Sequence, residues 1–275
     1  GLRYEDIDQK RTRYNDGELR AFRDSRKNAT QVFLPGLGIL YQLSDSLSLL
    51  GGVHKGFTAP SNSPNVDEET AINYELGFRY NKGYLSTELI GFLSDYDNIL
   101  GECTSSSGSD CVIGEAFNGD AATVAGLELL VSANLAGGND YQIPVSLSYT
   151  HINGEFDTDI ADTAFFGSVS EGDPLPYLPE NQFLASIGFT KDNWATYLTG
   201  NYVDEVCVRA SCNAFEKTDD TFTVDISANY QFSSALTFYG RVENLTSKED
   251  ILGRHPYGAR PNKDRTVTAG LRFNF

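Results

Sequence analysis

The chain has 275 residues and a formal net charge of −17 at pH 7. A strongly acidic chain is a poor partner for nucleic acid, because binding phosphates requires a basic surface. No stretch reaches the roughly 18 apolar residues of a membrane-spanning helix, so any passage through a membrane must be made by strands.

Strands are predicted wherever apolar and polar residues alternate, because the side chains of a strand point in turn to its two faces. In chain order the predicted strands are residues 1–9, 31–43, 47–58, 72–80, 84–97, 125–134, 141–152, 183–190, 194–204, 222–232, 236–243 and 266–275.

The last predicted strand shows the alternation without a break. Its apolar face carries Val267, Ala269, Leu271, Phe273 and Phe275, and the residues between them are polar or glycine. An apolar face that opposes a polar face along a closing strand is typical of a transmembrane β-barrel, with lipid outside and a wet lumen inside.

Short and long connections alternate between the predicted strands. The short turns are 44–46, 81–83, 136–140, 191–193 and 233–235, and the long polar segments lie near 10–30, 59–70, 98–120, 153–180, 205–220 and 246–263. Outer-membrane barrels have this asymmetry, with short periplasmic turns and long extracellular loops, whereas a soluble sandwich has no reason for it. We therefore predict an all-β, antiparallel transmembrane barrel with about twelve strands in this chain.

Four cysteines form two close pairs in predicted extracellular loops, Cys103 with Cys111 and Cys207 with Cys212. Four cysteines allow three connectivities, and the short loops favour the sequential one, with two disulfides in an oxidising compartment. A zinc site is the alternative, but the spacings do not suit it and no histidine lies near either pair.

Charge is uneven among the predicted loops. Residues 10–27 contain seven basic and three acidic residues, whereas residues 155–180 contain seven acidic residues and no basic one. A basic loop could steer an anion, and an acidic one could bind divalent cations or repel wrong ligands. Both could equally be solvated surface or contacts with lipopolysaccharide.

Several sequence segments resemble one known family. They are Gly52-Val-His-Lys-Gly-Phe-Thr-Ala-Pro60, Glu68-Glu-Thr-Ala-Ile-Asn-Tyr-Glu-Leu-Gly77, Asp95-Tyr-Asp-Asn98, Pro176-Tyr-Leu-Pro-Glu180, Gly200-Asn-Tyr-Val-Asp-Glu205, Arg241-Val-Glu-Asn-Leu-Thr246 and Arg254-His-Pro-Tyr-Gly-Ala-Arg-Pro-Asn-Lys263. Together with the closing strand they resemble the TonB-dependent outer-membrane receptors, and among these most of all the branch of ferric dicitrate receptors.

The resemblance implies a plugged barrel of 22 strands in the outer membrane of a Gram-negative bacterium. Residues 1–275 then correspond to the C-terminal part of the barrel, with the plug domain and the N-terminal strands absent. It also implies that Glu75, Glu128, Asp225, Arg241 and Glu243, on the predicted polar faces, pair across strands or contact the plug.

The family's mechanism is the uptake of an iron chelate. The chelate binds between loops and plug, and energy delivered through TonB rearranges the plug and releases the ligand to the periplasm. By this resemblance the protein is not an enzyme and has no cofactor beyond the ferric chelate that it transports. Its expected partners are the chelate, the TonB complex through the plug region, and outer-membrane lipid and lipopolysaccharide.

Five residues are predicted to contact the ligand. Arg254, His255, Tyr257 and Arg260 lie in the last extracellular loop, and arginine pairs bidentately with the carboxylates of an anionic chelate. His54 lies at the upper end of an ascending strand and faces the lumen. The alternative is structural: a proline-stiffened loop whose arginines pair with acidic loops, and a polar lumen residue near the rim.

Other functions suit the same barrel. A passive porin-like channel and a surface adhesion or phage-docking barrel are two alternatives to energised uptake. Haem receptors resemble this region too, but usually carry a histidine between a Phe-x-Ala-Pro and an Asn-Pro-x-Leu motif. Here Phe57-Thr-Ala-Pro60 is followed by Asn62-Ser-Pro-Asn-Val66 with no histidine between them, which disfavours haem.

Overall fold

A computed structural model describes residues 1–15, 21–60, 62–103, 112–136, 140–163, 166–210, 212–254 and 258–274, with the backbone alone for 161–163. The described residues form nineteen strands: β1 (Leu2–Tyr14), β2 (Phe22–Ser44), β3 (Leu47–Thr58), β4 (Glu69–Lys82), β5 (Leu85–Asp97), β6 (Leu100–Glu102), β7 (Ala116–Asn118), β8 (Ala122–Asn134), β9 (Tyr141–Gln142), β10 (Pro144–Phe156), β11 (Ile160–Thr163), β12 (Gly167–Val169), β13 (Asn181–Lys191), β14 (Trp194–Val203), β15 (Thr221–Gln231), β16 (Leu236–Glu243), β17 (Ile251–Gly253), β18 (Arg260–Pro261) and β19 (Thr266–Phe273).

Twelve of these strands form one antiparallel sheet in which each strand pairs with the next long strand of the chain. The order is β1-β2-β3-β4-β5-β8-β10-β13-β14-β15-β16-β19, and β9 adds a short pairing with β13. Three two-stranded pairs, β6/β7, β11/β12 and β17/β18, lie within long connections. The predicted all-β antiparallel architecture of about twelve strands is therefore confirmed.

The connections give the sheet two different ends. At the turn end, short links join Ser44 to Leu47, Lys82 to Leu85 and Lys191 to Trp194. At the loop end lie the long connections, which confirms the predicted alternation. No helix long and apolar enough to cross a membrane occurs in the described part of the chain.

The register gives the sheet an apolar face and a polar face. Directly opposed residues of antiparallel strands point to the same side. The pairings Tyr149–Phe183, Phe183–Tyr202 and Tyr202–Phe222 therefore place four aromatic rings in one row across β10, β13, β14 and β15.

The apolar face is exposed over most of its area. Leu76 and Val267 are 74% and 71% exposed. Near the turn end a second aromatic group lies below the first row, with ring centroids 6.1 Å apart for Trp194 and Tyr230 and 5.8 Å apart for Tyr141 and Phe189. Two aromatic levels that flank an exposed apolar band are the outer surface of a membrane barrel.

The main core lies at the loop end rather than between two layers of sheet. Ile99, Ala122, Phe156, Phe166 and Ala210 are buried together there. Since the wall is a single layer, burial of apolar groups is concentrated where the long connections fold over its rim.

One predicted loop is largely strand. Residues 10–30 were expected to be a long polar connection, but β1 continues to Tyr14 and β2 begins at Phe22, so the two form a hairpin that extends the sheet. The expectation was wrong because both sides of this hairpin carry polar residues, which conceals the alternation on which strand prediction depends.

Candidate functional site

The connections at the loop end are joined to one another by hydrogen bonds. Asn28 of β2 donates from Nδ2 to the carbonyls of Ser63 (2.9 Å) and Val66 (3.0 Å). The buried Ser63 hydroxyl in turn accepts a hydrogen bond from the backbone N–H of Ala116, at 2.8 Å. The β1–β2 hairpin, the β3–β4 connection and the β5–β8 connection are thus held to one another.

A phenylalanine cluster joins the next three connections. The Phe166 ring lies edge-on to Phe117 and Phe156, with centroids 5.8 and 5.1 Å away. Phe156 is fully buried, and Ala210 of the β14–β15 connection packs into the same cluster. The β5–β8, β10–β13 and β14–β15 connections therefore share one hydrophobic core, which fixes their arrangement above the rim.

The last connection, between β16 and β19, is organised by Asn244. This side chain is 4% exposed and donates from Nδ2 to the carbonyls of Lys248 (2.8 Å) and Lys263 (2.9 Å), while its Oδ1 accepts the backbone N–H of Lys248 (2.9 Å). Its backbone is left-handed, with φ of 51°. Asn244 was missed as a site-building residue, although a polar residue that ends a strand and tolerates positive φ is a recognisable signal.

Arg254 and Arg260 flank the small β17–β18 hairpin of this connection. Arg260 lies opposite Gly253 and is exposed, and its guanidinium covers the glycine so closely that a Cβ there would meet Nη2 at 2.8 Å. Arg254 is half-buried and donates from Nε to the carbonyl of Lys217 in the β14–β15 connection. His255 and Tyr257 lie outside the described residues.

His54 lies on the polar face of β3, opposite Gly36 and Asn73, and is exposed. Seven strands separate β3 from β16 along the sheet. Arg254 and Arg260 lie close in the same hairpin, because Arg260 pairs with Gly253, the neighbour of Arg254. His54 belongs to a different part of the wall.

Three of the charges predicted for the polar face form a chain of ion pairs. Arg241 Nη2 lies 2.8 Å from Asp225 Oδ2 and 3.3 Å from Glu243 Oε1, and Lys263 Nζ lies 2.6 Å from Glu243 Oε2. Cross-strand pairing is thus confirmed for Asp225 with Arg241, whereas Glu243 pairs with Arg241 along β16 and with Lys263 of the last connection. The Lys263–Glu243 pair joins the wall to the β16–β19 connection, next to Asn244.

A second polar cluster lies at the loop end of β13 and β14. Asp204 Oδ2 accepts hydrogen bonds from the backbone N–H and side-chain Nδ2 of Asn181, at 2.9 and 2.7 Å, and Oδ1 accepts the Tyr202 hydroxyl at 2.6 Å. Burial by itself raises the pKa of the Asp204 carboxyl, but the hydrogen bonds from Tyr202 and Asn181 outweigh it and hold that pKa below its ordinary value. The carboxylate is therefore the favoured form at neutral pH.

Cys103, Cys207 and Cys212 lie in the connections as predicted. Cys207 and Cys212 form a disulfide with Cα atoms 5.0 Å apart, next to the buried Val208. Cys103 is disulfide-bonded. Its predicted partner, Cys111, lies outside the described residues.

The chain matches one family of known proteins over most of its length. The family model described as "TonB dependent receptor-like, beta-barrel" matches residues 1–245. A curated relative, the metal-pseudopaline receptor CntO of Pseudomonas aeruginosa strain UCBPP-PA14, is 26% identical over 282 residues, which cover 98% of this chain and 37% of the relative. The chain thus spans little more than a third of that relative.

Solved structures share the fold at low sequence identity. The siderophore receptor PiuA from Acinetobacter baumannii has a TM-score of 0.78 at 15% identity, over 99% of this chain and 40% of that chain. The ferric citrate transporter FecA in its unliganded form has a TM-score of 0.73 at 19% identity, over 90% of this chain and 39% of that chain.

Proposed function

Since the chain belongs to the TonB-dependent receptor β-barrel family, we propose that it forms part of a receptor that takes up metal chelates with energy delivered through TonB. The barrels of this family lie in the outer membrane of Gram-negative bacteria, and that is where this chain is located. The observation that carries the proposal is the family match over residues 1–245, which includes eleven of the twelve long strands of the sheet.

The geometry supports a binding role for the loop end. Five connections and a hairpin are held together there by a shared core and by side-chain hydrogen bonds, so the described parts of these connections are fixed relative to one another. Ordering before binding reduces the entropy lost on association. Uptake of this kind makes or breaks no bond in the ligand, in agreement with a family of receptors rather than enzymes.

In this proposal the chain supplies the C-terminal part of the barrel wall. The plug and the TonB contact belong to the remainder of a longer receptor, since the chain spans 37% of its curated relative. The polar face of the sheet would then contact the plug, and the ion-paired row of Asp225, Arg241 and Glu243 would lie on that face.

We propose a ferric chelate as the ligand, with ferric citrate as one chelate to test. The names of similar proteins point to metal chelates of several kinds: one is a metal-pseudopaline receptor, one a siderophore receptor and one a ferric citrate transporter. Arg254 and Arg260, with His255, Tyr257 and His54, are the proposed contact residues.

The test is uptake of ⁵⁵Fe supplied as citrate and as siderophore complexes, in a strain that lacks its own receptors and carries the whole receptor gene. We expect saturable accumulation that disappears when TonB is deleted. Accumulation that is linear with concentration and independent of TonB would indicate a passive channel. Absence of uptake for every chelate, with the barrel correctly assembled, would favour an adhesion role.

A further inference from the structure

At its loop end the β1–β2 hairpin has one face that carries arginines and one that carries lysines. Direct pairings place Arg11 opposite Arg26 and Arg13 opposite Asp24 on one face, and Lys10 opposite Lys27 on the other. Both faces are basic, in a chain whose net charge is −17.

The arginine face is turned towards the neighbouring connections. Arg26 is on the same face of β2 as Asn28, which contacts the β3–β4 connection. Thr30 and Val32, which are buried, are on that face too. The Arg26 guanidinium also forms an ion pair with Glu115 of the β5–β8 connection, with Nη1 2.5 Å from Oε1. On the lysine face Lys10 and Lys27 are exposed; on the arginine face Arg13, Asp24 and Arg26 are half-buried and Arg11 is exposed.

The polar groups on the arginine face do not satisfy one another. Arg13 Nε and Asp24 Oδ1 are both buried and have no hydrogen-bond partner among the described residues. Arg11 directly opposite Arg26 is a like-charge pair, which disfavours the hairpin unless an anion lies nearby.

We propose that the inward face of this hairpin, formed by Arg11, Arg13, Arg26 and Asp24, binds a hydroxycarboxylate or aminocarboxylate group of the transported chelate. The guanidinium groups of Arg11 and Arg13 would each receive a carboxylate, because a guanidinium presents parallel N–H donors that match its two oxygens. Asp24 Oδ1 would accept a hydrogen bond from a hydroxyl or ammonium group of the same ligand. This inference rests on the proposed uptake function and names the chemistry of its ligand.

The charges of the site favour an anion, and among anions they favour one that also has a hydrogen-bond donor. Three guanidinium groups face two carboxylates, those of Asp24 and Glu115, so one positive charge is left over. The Asp24 oxygen penalises a purely anionic group that brings no donor. Sulfate, which has no hydrogen-bond donor at neutral pH, is therefore expected to bind more weakly than a carboxylate ligand with a hydroxyl.

The probe is free citrate, titrated calorimetrically into the purified full-length receptor in detergent at low ionic strength. We expect saturable binding that weakens about tenfold or more in Arg11→Gln/Arg13→Gln. Both replacements leave the Arg26–Glu115 pair in place. The matched control, Lys10→Gln/Lys27→Gln, removes the same charge from the outward face of the same hairpin and should change the citrate affinity by less than about twofold.

Three results would overturn the site. One is absence of saturable citrate binding, another is equal weakening in both double variants, and the third is sulfate binding as tightly as citrate, which would indicate a general basic patch. Heat-induced unfolding of each variant on gels shows whether the barrel is intact.

The uptake assay separates this inference from the proposed function. TonB-dependent uptake that persists when citrate binding is absent would leave the function standing and reject the site. Loss of TonB dependence in the unmodified receptor would reject the function, whatever the citrate titration shows.

Discussion

The carboxylate of Asp225 accepts a hydrogen bond from the backbone N–H of Asn244 at 2.9 Å, and this bond joins the barrel wall to its last long connection. Asp225 belongs to the polar face of β15, and Asn244 directly follows β16. The same carboxylate pairs with Arg241, so the charge network of the wall and the hydrogen-bonded core of the connection meet at one residue.

Replacing Asn244 with alanine should loosen the β16–β19 connection. The change removes three side-chain hydrogen bonds, each worth about 1 kcal/mol, and leaves the carbonyls of Lys248 and Lys263 with one partner fewer. Alanine also tolerates the left-handed backbone at this position less well than asparagine, because it has no side-chain amide to hydrogen-bond locally. Limited proteolysis should show new cleavage between residues 245 and 265, whereas Asn229→Ala, at an exposed position of β15, should show none. Unchanged protease resistance would mean that the connection is held by other contacts.

Removal of the Cys207–Cys212 disulfide should affect a loop and not the barrel. The two cysteines are five positions apart, so the chain-entropy model gives a contribution of at most about 2 kcal/mol. The sheet below is held by pairings that the bond does not touch. Cys207→Ser/Cys212→Ser should therefore increase protease cleavage between β14 and β15 while the unfolding midpoint in urea stays unchanged. Free thiols in the unmodified receptor under non-reducing mass spectrometry would contradict the bond itself.

The rim cluster around Asp204 should contribute stability that depends on pH. Because hydrogen bonds from Tyr202 and Asn181 lower the folded-state pKa of Asp204, its contribution is fully present above the unfolded pKa of about 3.9 and is lost as pH falls through the lowered folded value. Asp204→Asn should lower the urea midpoint at pH 7, and the difference from the unmodified protein should shrink below about pH 4. A difference that is constant between pH 7 and pH 3 would exclude the carboxylate as its source.

The polar face has glycines whose space is taken by aromatic rings. A Cβ at Gly126 would lie 2.5 Å from Phe92 Cζ and 2.5 Å from the carbonyl oxygen of His151, so Gly126→Ala must displace a ring and a strand. Overpacking of this kind costs about 1–3 kcal/mol. Gly38→Ala is the matched control, since a Cβ there meets only a carbonyl oxygen at 4.0 Å. Heat-induced unfolding on gels should shift to lower temperature for Gly126→Ala alone, and an equal shift in both variants would contradict the steric argument.

The sequence predicted the wall much better than it predicted the site. Alternation identified the long strands because each has lipid on one side and a polar lumen on the other, as in residues 266–273. That signal fails in the β1–β2 hairpin above the membrane, where both faces are polar. It also fails for the contact of Phe156 with Phe166, which joins the last residue of β10 to a position in the connection that follows.

Cross-strand pairing of Asp225 with Arg241 could be expected from the polar face alone, since the strands are neighbours. The contact of Arg254 with Lys217 could not, because it depends on how two connections of different lengths fold together. The site residues were therefore predicted from the chemistry of their side chains alone. The arrangement of Arg254 and Arg260 had to come from the structure.

Arg254 and Arg260 should contribute differently to ligand affinity. Arg260→Gln removes an exposed charge from the β17–β18 hairpin, and a charge-assisted hydrogen bond is worth roughly 1.5–3 kcal/mol, so affinity for a ferric chelate should fall about tenfold or more. Arg254→Gln also removes the hydrogen bond from Nε to the Lys217 carbonyl, and should weaken binding while increasing protease cleavage of the β14–β15 connection. Chelate affinity is measured by fluorescence quenching in the purified receptor, with Lys191→Gln at the turn end as the control for loss of charge. If Arg260→Gln leaves the affinity unchanged, the last connection does not contact the ligand. The arginines then serve to join neighbouring connections, a result that would leave membership of the family untouched.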